Sequence, residues 1–103
     1  MIRVTVLYPA AEGRTFDMDY YLKTHVPMFQ KCMGAAMTDV SVERGLSGGT
    51  PGSPAPYVAI IRASFESVEA FSAAFGPHAQ QIQGDVPNYT DIQPIILIGE
   101  VLI

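Results

Sequence analysis

Two histidines, one cysteine and five tyrosines carry most of the chemistry that this 103-residue chain can bring to a small molecule. His25 stands out by its position. In the helical spacing that begins at Met18 it falls on an apolar stripe with Leu22, Val26, Phe29, Cys32 and Met33, beside Pro27 and one turn after Tyr21. An imidazole directed inward needs hydrogen-bond partners, and histidine is the side chain whose proton moves near neutral pH. His25 in a sheltered pocket would therefore act as a general acid or base. The position equally suits a core histidine bonded to a carbonyl freed by the proline. Tyr8 and Tyr57 lie on strand faces assigned below to the helix side, where phenols would orient an oxygen of a ligand, or else simply end a strand with the hydroxyl in water. Tyr89, within Pro87-Asn88-Tyr89-Thr90-Asp91, would close one end of such a pocket, in a segment whose Asn and Asp also serve as turn makers. His78 has no partner near it in sequence, and Met18, Met28, Met33 and Met37 suit a pocket lining or a core alike.

Other chemistries are excluded by what the chain lacks. It contains no GxxxxGK[ST], GxGxxG, GxSxG or HExxH motif, and its Gly-rich stretch from Gly48 to Gly52 opens no helix that would cradle a phosphate. A lone Cys32 forbids an internal disulfide and any cysteine-based zinc site, and it lies two turns beyond His25, too far for a tight ion pair. No nucleophile stands beside an obvious base, which argues against hydrolysis, and no metal or cofactor is called for. Six Lys+Arg against ten Asp+Glu give a net charge of −4 without a basic run, so neither nucleic acid nor an anionic membrane surface is an expected partner. No apolar run approaches the ~20 residues of a membrane span. Ile2 to Leu7 is interrupted by Arg3 and Thr5 and does not read as a signal peptide, so the expected location is the cytoplasm.

The elements that must position these residues follow from periodicity. Ile2, Val4, Val6 and Tyr8 alternate with Arg3, Thr5 and Leu7, the pattern of a strand with one uniformly apolar face. Asp17 is an N-cap candidate, with Phe16 placed to pack on Tyr21 as a hydrophobic staple. The helix that follows keeps Asp19, Tyr20, Lys23, Thr24, Gln30 and Lys31 on its polar side, and Pro27 predicts a kink near His25-Val26. Thr38 to Leu46 alternates as a second strand. Gly45 to Pro56 is dense in Gly and Pro and reads as a mobile loop. Tyr57 to Phe65 is a third strand, Ser67 caps a second helix that carries Val68, Phe71, Phe75 and Ile82, and Gly84 to Asp91 is rich in turn formers. Ile92 to Ile103 is almost continuously apolar, as a strand buried on both faces would be.

The whole chain, 1–103, is thus one α+β domain with the order βαββαβ, a ferredoxin-like split βαβ fold. Its four antiparallel strands in the order 4-1-3-2 would carry both helices on one face. The other face would be bare. Val58 and Ile60 point to that face, and 49% of residues are hydrophobic while only 16% are charged, against roughly 25% in an ordinary soluble domain. A homodimer packed through the open sheet face would cover the excess. Arg3, Arg62 and Glu43 also project there and would align across the sheet, either to set the register between copies or as solvated rim charges.

The run Phe16-Asp17-Met18-Asp19-Tyr20-Tyr21-Leu22-Lys23-Thr24-His25-Val26-Pro27, the Gly/Pro loop into Pro56-Tyr57-Val58-Ala59, the Ser67-Val68-Glu69-Ala70-Phe71 helix start and Pro87-Asn88-Tyr89-Thr90-Asp91-Ile92 together resemble the EthD family, named for a protein of ethyl tert-butyl ether degradation. The resemblance covers the whole chain and implies a dimeric α+β barrel. Its superfamily includes cofactor-free monooxygenases, muconolactone isomerases, polyketide cyclases and haem enzymes, often with a pocket between helices and sheet. Leu97 stands where similar sequences often carry a polar residue, so no polar site is expected on that strand. The expected ligand is a small, largely apolar organic molecule, held by Tyr8, Tyr21, Tyr57 and Tyr89 with His25 as the acid/base of an isomerase- or cyclase-type proton transfer. The competing expectations are a non-catalytic accessory protein of a catabolic oxygenase system and a haem binder with His25 as axial ligand.

Overall fold

Alternating β-branched residues make β1 (Ile2–Pro9) in a computed structural model that describes residues 1–103. Asp17 caps the first helix as expected, its carboxylate accepting the Tyr20 N–H at 3.0 Å, and the Phe16 and Tyr21 rings meet at 5.1 Å as the staple requires. The helix comprises α1 (Met18–Tyr20), a π-helical turn (Tyr21–His25) and α2 (Val26–Met33). A short 3₁₀ turn leads into β2 (Met37–Arg44), and the long connection from 45 to 56 returns to β3 (Tyr57–Phe65). Gly45 is needed where that connection leaves the sheet, because a Cβ there would overlap the Tyr57 carbonyl oxygen. Ser67 caps α3 (Val68–Phe75) by accepting the Ala70 N–H at 3.0 Å. A second 3₁₀ turn, α4 (Ala79–Asp85), a third 3₁₀ turn over Val86–Asn88 and β4 (Ile95–Glu100) complete the chain. No helix is long and apolar enough to cross a membrane.

The four strands pair antiparallel in the order β2-β3-β1-β4, which is the expected ferredoxin-like arrangement. Register decides the faces. Val4 pairs with Ala63 and Tyr8 with Ala59, so the even residues of β1 and the odd residues of β3 share the face on which the helices pack. Tyr8, Tyr21, Val26, Ala59, Ile61, Tyr89 and Ile92 form one part of the core, and Val4, Met33, Ala63, Phe65 and Ile82 form the other.

The opposite face is uncovered. Thr5 lies between Arg62 and Leu97, and Leu7 between Ile60 and Ile95, so its apolar side chains gather toward β4 and its charges toward β2. Arg62 pairs with Glu43 as anticipated, but Arg3 sits opposite Ser64 and Gly99 and takes no part in that pair. The last strand departs further from expectation. It is an edge strand that begins at Ile95, just after Pro94, rather than at Ile92, and Ile95 to Ile98 are 44–57% exposed on both its faces. Its apolar sequence therefore records surface that a single chain does not bury.

Core and loop positions differ sharply in what truncation should do. Phe65→Ala removes a fully buried ring and is expected to lower unfolding stability by roughly 3–5 kcal/mol, while Leu46→Ala, at a position 88% exposed, should stay within about 0.5 kcal/mol. Chemical denaturation of the two variants checks both.

Candidate functional site

Pro27 shapes the site before any catalytic group enters it. Its ring crowds the carbonyl four residues back and it offers no N–H, so the preceding turn widens and the Val26 N–H bonds the Tyr21 carbonyl five residues earlier. The expected kink is thus resolved as a π turn. Widening changes the phase of the side chains. In an α-helix residues four apart are offset by about 40°, whereas here Tyr21 and His25 stack nearly parallel, with centroids 5.6 Å apart and planes 14° apart. Leu22, placed on the apolar stripe by α-helical spacing, is turned outward and is 46% exposed.

His25 is buried and fixed at one nitrogen. Its Nδ1 lies 2.9 Å from Asp85 Oδ2, and the same carboxylate accepts the Tyr20 hydroxyl at 2.7 Å and the Asn88 amide at 2.9 Å on Oδ1. Burial works to raise the Asp85 pKa, but the hydrogen bonds from Tyr20, Asn88 and His25 together outweigh it and hold the carboxyl below its usual range. An ionised carboxylate only accepts, so Nδ1 carries the proton it donates and a neutral His25 keeps its lone pair on Nε2. That nitrogen has no protein partner, and the ring lines a cavity between the helices and the sheet. Tyr20, assigned by periodicity to the polar side, belongs to the site: it also stacks on Tyr89 at 6.2 Å. Asp85 was outside the sequence-based set altogether. Its one signal is an acid in the last turn of a helix, where the macrodipole disfavours negative charge and another reason for its presence is required.

The cavity is about 200 Å³ and its walls are almost wholly apolar, from β1, β3, the first helix, α3 and α4. Tyr8, Tyr21 and Tyr89 converge beside His25, with Tyr8 and Tyr89 hydroxyls 2.7 Å apart and the Tyr89 and His25 rings 4.6 Å apart. Burial is the main force raising all three phenols, so each stays a neutral donor. The Tyr21 hydroxyl is fully enclosed and, although it lies near the Tyr8 hydroxyl, meets no group in the protein with hydrogen-bond geometry. Such an orphan costs roughly 1–3 kcal/mol unless a ligand satisfies it. Tyr57 does not join the group. A register shift between Tyr8 and Pro9 sets Tyr57 opposite Pro9 at the end of β3, half-buried and away from the cavity.

Two other occupants match the site poorly. At about 200 Å³ the cavity is below the ~300–1,000 Å³ of drug-sized pockets, a poor match for a haem macrocycle held by His25. No three His, Cys, Asp or Glu side chains converge to hold a metal ion.

The carboxylate gives the site a pH signature. Because the Asp85 pKa is lowered in the folded chain, the unfolded chain binds its proton first as the medium is acidified; the stability it lends is complete above the ordinary value of 3.8 and is lost as pH falls through the lowered one. The gap in unfolding free energy between wild type and Asp85→Asn should be widest above pH 3.8 and close below it. Denaturant titrations at a series of pH values test this, and a gap independent of pH would contradict it.

Comparison with known proteins agrees with this architecture. The EthD domain model matches residues 12–93. A crystal structure of an EthD-like protein from Ralstonia eutropha JMP134 is 42% identical over 99% of this chain and 92% of its own, with a TM-score of 0.94. An ethyl tert-butyl ether degradation family protein from Bacillus halodurans C-125 superimposes with a TM-score of 0.68 at 18% identity, covering 99% of both chains. A DABB family protein with a ferredoxin-like fold from Mesorhizobium loti covers 98% of this chain and 96% of its own, at a TM-score of 0.61 and 14% identity. No curated protein matches the chain. The domain match and the close Ralstonia relative together establish that the chain belongs to the EthD family.

Proposed function

We propose that this EthD-family protein binds a small, largely apolar molecule bearing one carbonyl oxygen between its helices and sheet, and moves a proton on it. The observation that carries the reading is the pairing, in one apolar cavity, of the His25–Asp85 dyad with the orphaned Tyr21 hydroxyl. Nε2 of His25 takes a proton from the carbon next to the carbonyl. The electron pair left behind moves onto the carbonyl oxygen, which accepts a hydrogen bond from Tyr21; return of the proton to the same carbon is exchange, and in a substrate with a carbon–carbon double bond conjugated to that enolate its return to the far carbon of the double bond shifts the bond and completes an isomerisation. Asp85 holds the ring in the tautomer that leaves Nε2 free and stabilises the imidazolium formed on proton uptake.

Acetophenone is a suitable probe because its methyl protons exchange by this chemistry. Wild type is expected to catalyse their exchange in deuterated water, followed by NMR, and His25→Ala to slow it by about 10²–10⁴-fold. Equal rates in the two proteins would remove His25 from the reaction.

The working unit is a homodimer joined through the open sheet face. Support comes from the exposed Ile95 and Leu97 of β4, the apolar row of Ile60 and Leu7 beside them, and the low charge content of the chain. Light scattering at micromolar concentration should give twice the chain mass of 11.1 kDa, and a stable monomer would exclude this assembly.

A further inference from the structure

The cavity has a definite exit. Gln83, Val86, Pro94 and Ile96 line both its outer end and a wider groove of about 640 Å³ between α4 and β4, so the two are continuous. Their linings differ in kind. The inner cavity is apolar except near His25, whereas the groove carries amides, a hydroxyl and a carboxylate. Thr90 is already engaged, its hydroxyl donating to the Thr15 carbonyl at 2.7 Å and accepting the Ile92 N–H at 3.0 Å. Asp91 is the one charged group of the lining, and Arg14 reaches it from the rim at 3.7 Å, leaving the groove without a cation of its own. The Gln83 and Gln93 amides make no side-chain hydrogen bond within the chain.

Building on the proposed function above, we infer that the ligand is an elongated molecule whose apolar head fills the cavity and whose uncharged polar tail passes between α4 and β4 into the groove, where the Gln83 amide holds it. Gln83 is thereby a specificity-determining residue: it offers a donor and an acceptor at the one place where the wall changes from apolar to polar. A carboxylate tail is disfavoured, since it would meet Asp91 with no free cation beside it.

Isothermal titration with three probes tests this: acetophenone, and acetophenone carrying a para three-carbon chain that ends in a primary amide or in a carboxylate. The amide-tailed probe should bind wild type roughly 3- to 10-fold more tightly than acetophenone, as one added hydrogen bond allows, and more tightly than the carboxylate-tailed one. In Gln83→Leu, an exposed helix position where leucine folds well, the ratio of amide-tailed to plain affinity should fall to near one. In Gln83→Lys the carboxylate-tailed probe should become the tighter binder. A tail that gains nothing in wild type, or a gain that survives Gln83→Leu, overturns the inference. If acetophenone binds and Tyr21→Phe weakens it while the tails are indifferent to position 83, the cavity reading stands and only the tail falls. If no probe binds, both fall.

Discussion

The hydrogen bond between His25 and Asp85 joins the two halves of this chain and fixes the chemistry of the space between them. It spans sixty residues of sequence, from the π turn of the first helix to the last turn of α4. Because the carboxylate is also bonded by Tyr20 and Asn88, it is held as an ion at the edge of an apolar layer. A bare carboxylate would be costly there. Its partners are what make the position tolerable, and in return it leaves one imidazole nitrogen committed and the other free.

The aromatic cluster depends on the same bond. Tyr20 and His25 bond the two oxygens of Asp85, and Tyr89 packs against both rings, stacked on one and tilted on the other. Tyr8 then meets Tyr89 through its hydroxyl and Phe16 and Tyr21 edge to face. Ring–ring contacts of this kind contribute about 0.5–1.5 kcal/mol each beyond the area they bury. Within the cluster the Tyr21 hydroxyl and His25 Nε2 are left without a hydrogen-bond partner in the protein.

The fold was legible in the sequence because its signals are local. Alternation of Val4, Val6 and Tyr8, the caps at Asp17 and Ser67, and the staple of Phe16 on Tyr21 each act over a few residues, and each is present. His25, Tyr8, Tyr21 and Tyr89 were legible as a converging group for the same reason, since face assignment needs only periodicity and strand order. The failures have equally local causes. A register shift at Pro9 displaced Tyr57, and the π turn changed the helical phase of Tyr20 and Leu22. Asp85 depends on a tertiary contact that no spacing encodes. In β4 the apolar run reads as a strand buried on both faces, yet Ile95 to Ile98 lie exposed at the sheet edge, because an apolar run looks the same in sequence whether or not the chain covers it.

The π turn carries a last implication, for how such a site can be gained or lost. A π turn amounts to an α-helix with one residue too many, accommodated by bonding five back instead of four. Deleting a single residue between Tyr21 and Pro27 would restore an ordinary helix and leave the sheet and its register untouched, yet it would rotate everything upstream by about 100° relative to α2. Tyr21 would turn out of the cavity and out of the core cluster to which it also belongs. Chains of this architecture that differ by a single-residue gap at this turn should therefore differ in the groups that line the cavity.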